Sequence, residues 1–244
     1  MHSIASTIVF LAELVLSCLL VSWLHFASRG EPPPLKFLFK LFVAGAAAAA
    51  IVAVVELRYV TPHGPVSLSY LVAYNLAISL TEELGKYFVA VFLILHSRYL
   101  HKLSDGIYYL IIIGLGFSLV EDALFLSDPQ TVAGYRLLSF YMHSGTSAII
   151  GYYLGRFHFN RSGYPHLLLG IIAAVALHLA YNLSTYVRTA PLAGILTFCL
   201  SVFISVQIFI LFRRAVIEEF EIQHRKRVKS HTKLLDTTLS TGQN

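Results

Sequence analysis

The sequence predicts an all-α, polytopic membrane protein, a helix bundle with about seven transmembrane helices. Of its 244 residues, 57% are hydrophobic and 13% are charged, and the mean hydropathy is +0.70, which is far above that of soluble domains. Apolar runs close to the ~20 residues needed to cross a bilayer recur along the chain. They lie at about 5–26, 37–57, 67–97, 106–126, 135–156, 166–187 and 191–212.

The first three runs have features that fit membrane helices. The first lacks the basic leader of a cleavable signal peptide. The second contains "GAAAAAIVA", whose small side chains suit close helix packing. The third is long enough for a tilted helix of ~45 Å but too short for two crossings. The connections between runs are short, so we expect the function to reside within the bilayer or at its surfaces.

Basic residues near the ends of the runs predict the orientation, because Lys and Arg tend to stay in the cytoplasm. Lys and Arg are more frequent in the first, third and fifth connections between runs, and after the last run, than in the second, fourth and sixth connections. This distribution predicts an external N-terminus and a cytoplasmic C-terminus. The net charge of +5 then reflects topology and a basic tail near an anionic leaflet, rather than nucleic-acid binding. We expect one transmembrane domain over 1–213 and a basic cytoplasmic tail over 214–244 that begins as a helix and ends disordered.

The third run contains three ionisable residues, Glu82, Glu83 and Lys86. A charge at mid-bilayer costs at least ~2.5 to 3.5 kcal/mol, so such residues indicate a functional site unless they are paired. Glu82 and Lys86 are four apart with the acid first, which predicts an ion pair. Glu83 points about 100° away and is then left without a partner on its own helix. The alternative is a purely structural role, in which Glu83 only forms a hydrogen bond to another helix of the bundle.

The next three runs carry polar residues of the types that active sites use. A lone buried histidine usually bridges helices, but four consecutive runs with such groups favour one shared site. With the predicted topology, the polar groups of the fourth to sixth runs lie in the outer half of the bilayer. Glu82 lies somewhat deeper, so a tilt or a break near Ser79 is expected. The residues are Phe117, Glu121 and Asp122 in the fourth run, His143 in the fifth, and His178 and Asn182 in the sixth.

Two mechanisms fit this inventory. A carboxylate in an apolar pocket can take a proton from water, which makes Glu82 or Glu83 a candidate general base, while His143, His178 and Asn182 can donate hydrogen bonds to an oxyanion. Alternatively, zinc or another divalent metal could be held by Glu121, His143 and His178. No HExxH signature is present, and the residues leave the choice open.

The ordered motifs resemble those of the PrsW-type intramembrane peptidases, relatives of the CAAX-processing and bacteriocin-processing membrane peptidases. The motifs are "EELGK", "FSLVE", the buried His143 and "HLAYN", and they lie within 68–190. The resemblance implies a bacterial or archaeal membrane enzyme that hydrolyses membrane-anchored proteins, for instance in the regulated proteolysis of a membrane-bound regulator. This family is described both as glutamate-type and as metallopeptidase.

Residue roles follow from the resemblance. It implies that Glu82 and Glu83 are essential acids and that Glu121 is a supporting acid or ligand. His143 and His178 would be the remaining catalytic or ligand groups, and Asn182 a donor. Lys86, Phe117 and Asp122 would support them, although Asp122 departs from the amide expected after the glutamate.

Two other classes remain open at this stage. A proton-coupled transporter could use the same acids and histidines as a relay, but the inner halves of the fourth to sixth runs are mostly apolar. A scaffold would use the polar groups only to hold helices together. Glu13 in the first run fits that structural role, with an approach to the site as the alternative. The small-residue spacing at Gly151 and Gly155 permits a helix contact within or between chains, so the oligomeric state is not predicted.

Overall fold

In a computed structural model of the protein, residues 2–27, 33–59, 67–125, 133–159, 161–185 and 190–241 are described, and within these segments the regular structure is entirely α-helical. Seven helices follow one another along the chain. They are α1 (His2–Ala27), α2 (Leu35–Tyr59), α3 (Leu68–Leu93), α4 (Leu103–Phe125), α5 (Ala133–His158), α6 (Tyr164–Thr185) and α7 (Ala190–Thr241).

The predicted bundle of about seven helices is confirmed. Five of them, α1, α2, α4, α6 and α7, are long and apolar enough to cross a membrane. The helices α3 and α5 are also of spanning length, at 26 residues each, but polar residues in their centres lower their hydropathy. The orientation of the termini stays a prediction. We refer to the end of the bundle where α2, α4 and α6 end and α3 and α5 begin as the α2–α3 end.

Helix α4 forms the centre of the bundle. It packs against α1, α2, α3, α5 and α7, while α6 packs against α3, α5 and α7. From Leu103 to Ser118 its side chains are buried on every face, and Ile107, Leu110 and Ile111 are fully enclosed. The outward faces of the surrounding helices are apolar instead, with Phe92 on α3 82% exposed. Such a surface suits hydrocarbon rather than water.

Glycines allow the helices around α4 to approach closely. A methyl group added at Gly116 would overlap the carbonyl of Phe42 on α2, and one at Gly114 would overlap the Ser147 hydroxyl on α5. Nearer the other end, Gly151 on α5 lies against the carbonyl of Gly106 on α4. These contacts bring α4 close to α2 and α5, and they show that Gly151 makes its helix contact within the chain.

Side chains from neighbouring segments complete the helix ends. Ser67 caps α3 by accepting a hydrogen bond from the Tyr70 backbone N–H at 3.1 Å, as serine commonly does at this position. At the start of α4, the Ser104 backbone N–H donates to Glu219 of α7 at 2.6 Å. Helix α7 is continuous to Thr241, whereas the sequence analysis expects the tail to end without regular structure. The boundary at 213 stays a prediction.

The glycine contact between α4 and α5 gives a testable prediction. Gly151→Ala places a methyl group against the Gly106 backbone, and overpacking of this kind destabilises a protein by about 1–3 kcal/mol. Gly194→Ala is the matched control because nothing lies within 4 Å of the added methyl group. We expect the free energy of unfolding in mixed micelles to fall for Gly151→Ala only. Equal stability of both variants would contradict the close α4–α5 contact.

Candidate active site

The buried residues of α3 form a single stripe, and all of them except Ala90 are polar or charged. Asn75, Ser79, Glu82, Glu83, Lys86 and Ala90 are its buried members, and their spacing of three and four residues places them on one face of the helix. Helix α3 continues through Ser79 without interruption, so the break considered in the sequence analysis is not needed. The stripe faces the interior of the bundle, towards α4, α5 and α6.

Glu83 lies at the centre of the buried polar contacts. Its Oε1 atom is 2.7 Å from Lys86 Nζ and 2.7 Å from His178 Nδ1 on α6. The predicted Glu82–Lys86 ion pair is therefore wrong, since Lys86 pairs with Glu83. Spacings of three and four residues both bring side chains together on a helix, and here the contacts to α5 and α6 select the shorter one.

Lys86 links α3 to α4 and α5. Besides Glu83, its Nζ atom lies 3.3 Å from His143 Nδ1 and 3.3 Å from Thr146 Oγ1, and it lies 5.3 Å from the centre of the Phe117 ring. The Phe117 ring also packs against the His143 ring in a tilted arrangement, with ring centres 5.6 Å apart. A buried ammonium group requires partners of this kind. Lys86 therefore pairs with Glu83 and lies against His143 and Thr146 of α5.

A second group of donors lies beside this ion pair. Glu82, Glu121 and His143 each offer one ligand atom, and the three atoms lie within 4.8 Å of one another. His143 Nε2 is 2.6 Å from Glu121 Oε2. His178 is the third candidate ligand predicted from the sequence, with Glu121 and His143, but the structure brings Glu82 to that position. His178 Nε2 lies 3.7 Å from Glu82 Oε2, next to the donor group.

This donor set fits a divalent metal. His143 Nε2 and Glu82 Oε2 are buried and make no hydrogen bond with the described part of the chain, although His143 Nε2 lies close to a carboxylate oxygen. Ligand atoms that point towards a common ion show such short distances without hydrogen-bond geometry. Imidazole nitrogen and carboxylate oxygen are both ligand types of zinc, and three protein ligands leave one position open for water. A metal on Nε2 requires the ring hydrogen on Nδ1, so Lys86 would then donate to Glu83 and Thr146.

Asn182 and Asp122 lie outside the closest contacts of this centre. Asn182 follows His178 by one turn and is half-buried, and its side chain makes no hydrogen bond within the described segments. Asp122 accepts a hydrogen bond from Ser139 at 3.0 Å, and Ser118 Oγ lies 3.5 Å from Asp122 Oδ2. Ser118 is also 2.9 Å from Glu13 of α1. Glu13 is thus hydrogen-bonded inside the bundle, as expected of a structural residue.

Glu56 is a further acid near the site, and the sequence analysis does not single it out. It lies on the last turn of α2 and accepts a hydrogen bond from Thr81 at 2.8 Å. Thr81 immediately precedes Glu82, so this contact places Glu56 near the donor group. In the sequence it resembles an interfacial residue beside Arg58. The only sequence feature that relates Glu56 to the site is that "VVELR" of α2 and "TEELGK" of α3 lie on consecutive helices.

The fold and the site define a multi-pass membrane protein with a buried acid–histidine centre shared by α3, α4, α5 and α6. A sequence model of the PrsW family, described as intramembrane metalloprotease, matches residues 33–212. The chain belongs to this family. The match extends beyond the residues 68–190 on which the resemblance is first based, and includes α2 with Glu56.

Two bacterial relatives are named Protease PrsW. The protein from Geobacillus kaustophilus (strain HTA426) is 28% identical over 142 residues, which are 57% of this chain and 62% of the relative. The protein from Halalkalibacterium halodurans is 31% identical over 104 residues, 41% of this chain and 48% of the relative. The chain thus spans less than two thirds of either relative. No solved structure matches.

The Glu83–Lys86 pair gives a second prediction. Lys86→Met leaves Glu83 buried without its ammonium partner, and breaking a buried pair in this way costs about 3–5 kcal/mol. We expect Lys86→Met to lower the free energy of unfolding in mixed micelles by that order, and Glu83→Gln added to Lys86→Met to restore part of it. Coupling of Lys86→Met to Glu82→Gln instead would contradict the observed pairing.

Proposed function

We propose that the protein is an intramembrane endopeptidase that hydrolyses peptide bonds of membrane-anchored proteins. The observation that carries this proposal is the convergence of Glu82, Glu121 and His143 within 4.8 Å, directly beside the Glu83–Lys86–His178 contacts. Hydrolysis of a peptide bond needs a base for water, donors for the oxyanion and a proton for the leaving amine. The named residues can supply all three.

Glu82 is the residue that we assign to the attacking water. Glu83 is a weaker base, because its Oε1 atom already accepts from Lys86 and His178 at 2.7 Å each and both contacts stabilise its charged form. Glu82 has no such contact with Lys86. In this assignment, Glu82 accepts a proton from the water molecule while the water oxygen attacks the carbonyl carbon. Glu83 orients His178.

His178 and Asn182 complete the assignment. With Nδ1 held by Glu83, His178 presents Nε2 towards Glu82, 3.7 Å away, where it can pass the proton to the leaving nitrogen as the C–N bond breaks. The geometry is that of a histidine held in one orientation by a carboxylate. Asn182, one turn towards the α2–α3 end, is assigned as a hydrogen-bond donor to the substrate oxyanion.

The metal belongs to this proposal as well. Glu82, Glu121 and His143 would hold zinc or another divalent ion. When bound, such an ion polarises a carbonyl oxygen and makes bound water more acidic. A carboxylate has two oxygens, so Glu82 can offer one to the ion and keep the other for a proton.

The distribution of polar residues favours a peptidase over a proton-coupled transporter. A transporter needs polar groups that lead from the site to both faces. Between Lys86 and the other end of the bundle, the fully buried residues on the described helices α3, α4 and α5 are largely apolar, including Ala90, Ile111 and Ile150, and the buried Ser104 and Asp105 lie only at the far end of α4. The buried polar groups around Glu83 thus form one cluster displaced towards the α2–α3 end, as expected for a site that admits water and substrate from one side.

The remaining assignments are part of the same proposal. The α2–α3 end would face the outside and the C-terminus the cytoplasm, with 1–213 as the membrane domain and 214–244 as a basic cytoplasmic tail. The substrate would be a protein anchored by a single membrane span, such as a membrane-bound regulator that is processed by regulated proteolysis.

Cleavage is the decisive test. In liposomes that contain the full chain and a library of single-span substrates, the wild-type protein should release fragments cut within or next to the span. Glu82→Gln should lower kcat by at least about 100-fold, the usual range for loss of a general base. The neutral variant retains the size of the side chain, so correct insertion can be verified by retained accumulation and thermal stability.

Glu221→Gln is the matched control, since Glu221 lies exposed on α7 away from the centre, and it should cleave normally. Full activity of both Glu82→Gln and Glu83→Gln would contradict the proposal. Solute flux without any peptide cleavage would favour the transporter instead.

Metal content separates the two mechanistic types. Elemental analysis of the purified protein should find about one divalent ion per chain, as expected for a mononuclear site. His143→Ala should remove it, whereas His178→Ala should keep most of it, since His178 lies outside the donor group. An active preparation without metal would favour the glutamate mechanism, and loss of metal from His178→Ala alone would contradict the ligand set.

A further inference from the structure

Ser79 is a buried residue of α3 that has no role in the mechanism so far. Its side chain is fully buried, and its Oγ atom makes no hydrogen bond with the described part of the chain. Other hydroxyls of the bundle donate to a carbonyl of their own helix, as Ser201 does to Thr197 and Thr81 does to Ala77. Ser79 makes no such bond. A buried hydroxyl in a protein normally has a hydrogen-bond partner, which is often a water molecule.

Two acceptor atoms of the site lie one turn further along the same helix face. Ser79 precedes Glu82 by three residues and Glu83 by four, and all three belong to the buried stripe of α3. The Oε1 atom of Glu83 accepts from Lys86 and His178. Its Oε2 atom is buried and makes no hydrogen bond within the described segments, and the same holds for Glu82 Oε2. A donor without an acceptor therefore lies next to two acceptors without a donor.

A single water molecule matches the hydrogen-bonding needs of these atoms. Buried waters make about three hydrogen bonds to polar groups that otherwise lack partners. Side chains three or four residues apart on a helix have Cβ atoms ~5 to 6 Å apart, which is the span of two hydrogen bonds of ~2.8 Å through one bridging water. A hydroxyl can donate to a water oxygen, whereas a carboxylate accepts from it. Such a water would adjoin Glu82, the residue assigned to the attacking water.

We propose that Ser79 is a further catalytic residue, which binds and orients the attacking water together with Glu83 Oε2. The inference rests on the proposed peptidase function and adds a residue to its mechanism. The Ser79 hydroxyl donates to one lone pair of the water oxygen, and the water donates its two hydrogens to Glu82 and Glu83. The second lone pair forms the bond to the carbonyl carbon while one proton passes to Glu82 and the π electrons of the carbonyl move to its oxygen. Ser79 keeps its own proton throughout.

Ser79→Ala tests the inference, because it removes the hydroxyl and leaves the other side-chain atoms in place. With a single-span substrate that the wild-type protein cleaves in liposomes, kcat should fall about tenfold, as for the loss of one hydrogen bond in the transition state. KM should stay unchanged, because the hydroxyl contacts the water and not the bound peptide. The free energy of unfolding in mixed micelles should not fall, because the hydroxyl has no partner in the described part of the protein.

Ser201→Ala is the matched control, since Ser201 is buried on α7 and its hydroxyl donates to the carbonyl of Thr197. It should retain the wild-type kcat. An unchanged kcat in Ser79→Ala would overturn the inference. A fall in kcat accompanied by a lower free energy of unfolding would also overturn it by indicating a structural role, as would a rise in KM alone, which would place the hydroxyl against the peptide. Absence of cleavage by the wild-type protein would instead overturn the proposed function.

Discussion

The buried contact between Lys86 and Glu83 is the interaction on which the arrangement of the centre depends. An ammonium group in the interior of a membrane bundle must be surrounded by acceptors and an opposite charge. Lys86 meets this requirement by contacting Glu83 at 2.7 Å and by reaching His143 and Thr146 on α5. Because Glu83 also holds His178, one charge pair ties α3 to both histidine-bearing helices.

The second constraint is the close packing of α4. Glu121 can meet His143 only if α4 and α5 lie close together, and Gly114 permits this by leaving room for the backbone and side chains of α5 at His143 and Ser147. Gly116 plays the same role towards α2. The glycines therefore do more than stabilise the bundle, since they set the distance between a carboxylate and an imidazole from different helices.

Much of this could be predicted from the sequence, for identifiable physical reasons. Hydropathy and run length predict seven helices, because a lipid-exposed backbone has few alternatives. Ionisable residues are so costly in a membrane that Glu82, Glu83, His143 and His178 stand out without an alignment. The pairing of Lys86 could not be predicted, because spacings of three and four residues are equally compatible with a helix. Glu56 was missed for a related reason, since an acid on the last turn of a helix is ordinary until a neighbour such as Thr81 is placed beside it.

The charge balance of the centre connects the glutamate and metal mechanisms. Glu82, Glu83 and Glu121 are acids of one buried centre, and Lys86 is paired with Glu83. Like charges this close in a medium of low dielectric cannot all persist without compensation. A divalent ion held by Glu82, Glu121 and His143 would supply such compensation at the donor group. Glu82 would serve both mechanisms, as the base for the water in the first and as a ligand in the second, because Glu83 already accepts hydrogen bonds from Lys86 and His178.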